Sequence, residues 1–167
     1  TPPEAAAVFV RDPDPFEDVS YETDENGSAL LICPIGCDHS IEAAFFIQVA
    51  VQWDKDLDAF EFFFAVSVTF ADAEYADRFL SGIETKTYIS AADEREYVLM
   101  SALTAITMLL RQARPDRVVI FSHDPNLPPA ALRKHVKMTE VFERCGYRVV
   151  ELPSCHGRRV WRAERTG

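Results

Sequence analysis

Two stretches of the chain alternate between apolar and polar positions with a period of two. In Ile41 to Trp53 the odd positions are Ile41, Ala43, Phe45, Ile47, Val49, Val51 and Trp53, against Glu42, Ala44, Phe46, Gln48, Ala50 and Gln52 on the even ones. In Asp58 to Phe70 the even positions Phe60, Phe62, Phe64, Val66, Val68 and Phe70 oppose Glu61, Phe63, Ala65, Ser67 and Thr69. Successive side chains leave opposite sides of a pleated strand, so this pattern belongs to strands with one buried face. Joined by the polar turn Asp54 to Leu57, the two predict a long antiparallel hairpin.

The pattern changes at Ser90. From there to Pro115 the chain reads S-A-A-D-E-R-E-Y-V-L-M-S-A-L-T-A-I-T-M-L-L-R-Q-A-R-P. Ser90 with Asp93 predicts a capping box, Arg111 and Arg114 suit the negative end of the helix dipole, and Pro115 forbids continuation. Between Tyr97 and Leu110 apolar residues run nearly all the way round, which predicts a central helix covered on several sides. The strand-like R-V-V-I-F-S of Arg117 to Ser122 follows at once.

Around this centre the remaining elements are shorter. Ala6 to Val10 and Ala29 to Ile32 read as strands, Asp72 to Ser81 as a short helix ended by Gly82, and Thr85 to Ile89 as a strand. Pro128 and Pro129 suit the first turn of a helix whose inward stripe reads Leu132, Val136, Thr139 and Phe142, beside Val141, with Gly146 as its cap. Tyr147 to Leu152 and Arg159 to Ala163 read as final strands, linked by P-S-C-H-G-R. The fold class expected is α+β: a mixed, largely antiparallel sheet with a long central helix, in a single domain over 1–167. Residues 11–27, rich in Asp, Glu and Pro, are expected to form an acidic loop or arm, either solvated or an interaction segment.

Charge adds an asymmetry. The net charge is −10, but residues 1–100 carry 21 acids and 5 bases, whereas 101–167 carry 6 acids and 12 bases. Either the two parts neutralise each other within the domain, or one presents a charged face to a protein partner or a second copy. Sequence-independent nucleic-acid binding goes with an overall basic domain, so it is not expected here. No apolar run has the length of a membrane span and no signal-peptide pattern opens the chain, which points to a cytoplasmic protein. Cys33, Cys37, Cys145 and Cys155 are accordingly expected as reduced thiols.

Three groups of residues could carry chemistry. Cys33, Cys37 and His39 with Cys155 and His156 offer the donors zinc prefers, if the two clusters meet in space; the plainer reading is small buried thiols and turn histidines, with no metal. Ser122, His123 and Asp124 follow a central strand, where open sheets place functional groups, and His123 there is a candidate general base. Consecutive residues cannot form a triad, because their side chains diverge. Arg158, Arg159, Arg162 and Arg165, with Trp161 among them, are the densest basic cluster, suited to ion pairing along an edge strand or to an anionic partner.

The order of elements from residue 41 resembles the later part of the Gcn5-related N-acetyltransferase (GNAT) fold. F-E-R-C-G-Y, Phe142 to Tyr147, is similar to the Y-x-x-x-G-F that closes the penultimate helix of many such enzymes. The resemblance implies acetyl-coenzyme A as cofactor, its pyrophosphate held by backbone N–H groups and a basic residue where the fourth strand turns into the long helix. Here that position reads S-A-A-D-E-R-E, so Ala92, Asp93, Glu94 and Arg95 are the implied cofactor contacts, with Arg95 the one cation. The family's glycines are absent, carboxylates stand where the anion would lie, and Phe142 replaces the tyrosine that serves as general acid. Two functions are therefore expected: a GNAT-like domain with a degenerate coenzyme A site and no cofactor, acting as a protein-interaction or regulatory module, or else a divergent acetyl-CoA-dependent N-acyltransferase.

Overall fold

The hairpin is built as its alternation predicts. In a computed structural model describing residues 8–72, 78–122 and 128–167, the two strands are Ala43–Asp54 and Ala59–Phe70. Ala43, Phe45, Ile47, Val49 and Val51 are all buried, as are Phe62, Val66 and Val68. The Asp54 carboxylate accepts from the Asp56 and Leu57 N–H groups, which fixes the turn.

In chain order the described elements are β1 (Val10–Arg11), β2 (Ser20–Thr23), β3 (Ala29–Asp38), β4 (Ala43–Asp54), β5 (Ala59–Phe70), β6 (Arg78–Leu80), α1 (Gly82–Tyr88), α2 (Ala92–Ala113), β7 (Arg117–Phe121), α3 (Pro129–Arg144), β8 (Tyr147–Cys155) and β9 (Arg158–Arg165). The fold is α+β, with a mixed, largely antiparallel open sheet. Contacts gather into two units, one of Thr1–Ser20, Ile32–Gln48 and Phe64–Ala102, the other of Tyr21–Leu31, Val49–Phe63 and Leu103–Gly167. β3, β4, β5 and α2 each contribute to both.

In the first unit the strand order is β1-β3-β4-β5, with β6 also on β5. The Ala71 N–H donates to the Glu42 carbonyl at 3.0 Å, so β4 stays with β5 to the end of both strands. β6, antiparallel to β5 from Val66↔Leu80 to Val68↔Arg78, therefore lies on the opposite edge of β5. Close approach at Gly36 makes room for β1, since a Cβ there would run into the Val10 carbonyl and come within 2.6 Å of the Phe9 ring.

In the second unit the order is β3-β4-β5-β7-β9-β8, with β2 on β3. β7 runs parallel to β5 at Phe60↔Val118 and Glu61↔Val119, while β9 is antiparallel to both β7 and β8. Val118, Val119, Ile120, Val160, Trp161 and Ala163 are buried, and Phe142 packs edge-on to Phe62 and Tyr147 at centroid distances of 5.5 and 5.7 Å.

Several expectations are corrected. Thr85 to Ile89 is not a strand: Ser81 and Glu84 form a capping box, with the Glu84 N–H donating to Ser81 Oγ at 3.1 Å, and the chain continues as α1. Of the expected helix over 72–81, residues 73–77 lie outside those described, and Arg78–Leu80 is strand β6. α2 is covered on several sides as expected: Val98, Ser101, Ala102, Ala105, Ile106, Leu109 and Leu110 are buried, while Met100 is 53% exposed. In α3 the buried residues are Met138, Val141 and Phe142, and Val136 faces outward. The segment 11–27 is not simply a loop, because Ser20–Thr23 joins the sheet as β2.

Candidate functional site

The start of α2 is where the resemblance puts a cofactor, and its charges are engaged by the chain itself. The helix begins at Ala92, and the Arg95 guanidinium donates to the carbonyls of Ser90 and Ile89. Those carbonyls lie at the end of α1, so a cation there complements the negative pole of one helix at the positive pole of the next. Glu94 receives the Arg11 Nε at 3.0 Å, and the Arg11 guanidinium lies 4.7 Å from the Tyr97 ring centroid. The Tyr97 hydroxyl in turn donates to the Asp12 carbonyl at 2.8 Å. The hydrogen bond to Glu94 raises the Arg11 guanidinium above its ordinary range, and burial raises the Tyr97 phenol. Ala92 and Asp93 are exposed.

The end of β7 is committed to structure as far as the described residues reach. Ser122 is buried, and its N–H and Oγ bond the Arg159 carbonyl and N–H, each at 3.0 Å, which prolongs the β7–β9 ladder. His123 and Asp124 lie outside the described residues.

The thiols are separate and free. Cys33 is buried in β3, where desolvation pushes its thiol up to about 11; Cys37 Sγ lies 3.5 Å from His39 Nε2. Cys155 is exposed, and His156 and Gly157, both at positive φ, make the two-residue turn between β8 and β9. Among the described residues, no group of three or more His, Cys, Asp or Glu side chains gathers as a metal-ligand set.

Three of the four basic residues of β9 have partners within the second unit. Arg159 Nε pairs with Glu151 at 2.7 Å, Arg162 with Glu164 at 3.0 Å, and Arg165 with Asp116. Arg159 also lies 5.3 Å from the Trp161 ring centroid, and the His135 ring stacks on Trp161 at 5.0 Å. Phe142, in the position the resemblance gives to an acidic tyrosine, is wholly buried and serves the core. Tyr147 next to it donates to the Pro115 carbonyl at 2.6 Å, and burial pushes its phenol up to about 12.

One feature escaped sequence reasoning. Where α2 and α3 end, a cavity of about 370 Å³ opens, lined by Leu110, Arg111, Arg114, Cys145, Tyr147 and Arg165, among others. The dipole rule located Arg111 and Arg114; nothing local links them to Arg165, which arrives from the last strand.

No helix among the described residues is long and apolar enough to cross a membrane. No family model, curated protein or solved structure matches the chain.

Proposed function

We propose that this chain is an acetyltransferase-like domain whose coenzyme position is occupied by its own side chains, and that it works in the cytoplasm by binding a protein partner. The observation that carries the reading is the first turn of α2. Asp93 and Glu94 place carboxylates at the helix end that would otherwise attract a pyrophosphate, and Arg95 directs its guanidinium at backbone carbonyls. An incoming diphosphate would have to displace those bonds and approach like charge.

Support for the fold half of the reading comes from the parallel β5–β7 pair reached through α2. Support for the partner half comes from apolar surface in the first unit. Phe79 on β6 is 52% exposed, and Ile83 is 81% exposed on α1, a helix that buries none of its residues. The four free thiols fit a reducing compartment.

A thermal-shift titration with acetyl-coenzyme A and coenzyme A tests the reading. The expected result is an unchanged midpoint. A ligand present at 100 times its dissociation constant adds about 2.7 kcal/mol to stability. A shift of that size, abolished by Arg95→Ala, would overturn the reading in favour of a divergent N-acyltransferase.

A further inference from the structure

The geometry points to a binding site for a small diphosphate-bearing ligand in the cavity at the C-terminal ends of α2 and α3, with Arg111 and Arg114 as its principal anchors. This site lies in the second unit and does not depend on the proposed function.

The cavity gathers three guanidinium groups, from Arg111, Arg114 and Arg165, in a chain that carries 27 carboxylate side chains against 17 Lys and Arg. Arg165 is tied down, bonding Asp116 through Nη2 and the Arg114 carbonyl through Nη1 at 3.0 Å. Arg111 and Arg114 have no carboxylate partner among the described residues; Arg111 lies beside the Cys145 thiol. Both arginines line the same concavity.

The usual objection to an anion at this place is that helix C-termini present bare carbonyls. Just past the last residues of α2 (Ala113) and α3 (Arg144), three carbonyls are occupied. The Pro115 carbonyl accepts from Tyr147, the Arg114 carbonyl from Arg165, and the Gly146 carbonyl from the Thr166 N–H at 2.9 Å and Oγ1 at 2.8 Å. Burial raises both the Cys145 thiol and the Tyr147 phenol, so neither adds negative charge to the wall near neutral pH. Among the described residues, Asp116 is the one side-chain carboxylate bonded to a lining arginine, and it is paired; Thr166 and Gly167 complete the lining. What remains is a concave surface with two available planar forks, each able to grip phosphate oxygens in a bidentate manner, and with Leu110 and Tyr147 as apolar wall.

The test is calorimetric titration of the full chain with inorganic pyrophosphate at constant ionic strength. The unaltered chain is expected to show one saturable site. Arg111→Gln and Arg114→Gly should each weaken it about ten- to a hundredfold, the range for losing a hydrogen bond to a charged group, while Arg148→Gln on the exposed side of β8 should not. Arg114 has φ of 48°, a left-handed conformation that glycine adopts readily, so Arg114→Gly removes the cation while keeping or raising the thermal midpoint. Loss of binding there is not loss of fold. Arg95→Ala should leave pyrophosphate binding intact, which separates this site from the start of α2. ADP binding more tightly than pyrophosphate would assign the ligand to nucleotides, and equal binding would assign it to the diphosphate alone. No saturable binding, or equal weakening by all three substitutions in the second unit, would overturn the proposal.

Discussion

The two ends of α2 carry opposite charges and use them differently. At the start, in the first unit, Glu94 is held by Arg11 and Arg95 is spent on the carbonyls of Ser90 and Ile89. At the finish, in the second unit, Arg111 and Arg114 line a cavity and have no carboxylate partner among the described residues. The helix dipole favours both arrangements equally, acids at its positive pole and bases at its negative one. The dipole therefore sets the sign of charge at each end, but partners distant in sequence decide whether that charge is free to meet a ligand.

The strongest way to break this contrast is to remove the packing behind either end. Phe45, behind the first unit's aromatic contact to Tyr88, and Phe142, against Tyr147 in the second, are both fully buried. Phe45→Ala and Phe142→Ala should each cost about 3–5 kcal/mol in urea unfolding. Trp53 and Trp161 both belong to the second unit. Because β3, β4, β5 and α2 run through both units, Phe45→Ala should still lower the tryptophan-reported midpoint; a midpoint that stays in place would mean that the two units unfold separately.

A smaller perturbation addresses the first end alone. Gly36→Ala sets a methyl group against Val10 and Phe9 and should push β1 away, taking Arg11 from Glu94 at a cost of about 1–3 kcal/mol. Hydrogen exchange at the Asp12 N–H, bonded to the Ile35 carbonyl at 2.8 Å, is the readout, and it should accelerate more than exchange in β9.

The smallest effect concerns the second unit alone, through a paired arginine at the start of β9. The hydrogen bond from Arg159 holds the Glu151 carboxyl below its usual value of 4.5. A carboxyl lowered in the folded state stabilises at pH above its unfolded value, and the contribution disappears as pH falls through the folded one. Glu151→Gln should therefore lower the thermal midpoint slightly at neutral pH, and the difference should vanish in acid.

What could be read from sequence follows from the range of the forces involved. β4 and β5 were legible because each bears its burial pattern in its own residues. α1 was misread because T-K-T-Y-I has strand-like composition, while the Ser81–Glu84 box that nucleates the helix lies just upstream. The β8–β9 hairpin was partly hidden, since its tight turn uses His156, where Asn or Asp is the usual signal for positive φ. In α3 the expected stripe of Leu132, Val136, Thr139 and Phe142, beside Val141, is right at its C-terminal end, where Phe142 packs against Phe62 and Tyr147, but Met138 is buried and Val136 faces outward. At the candidate sites, the acids of α2 were legible, but Arg11 as their partner was not. The arginine cavity was invisible for the same reason, being assembled from residues that meet only on folding.

The single edge of β5 shared by two neighbours bears on how the chain is made. The neighbour that covers Val66 to Val68, β6, follows almost at once in the chain, whereas the neighbour of Phe60 and Glu61, β7, comes after the whole of α2. During synthesis one half of this edge can close early, while the other waits for the ribosome to release the chain past Phe121. An unpaired strand edge is a template for wrong pairing. While α2 is being made, Phe60 and Glu61 therefore lack the neighbour that β7 later supplies.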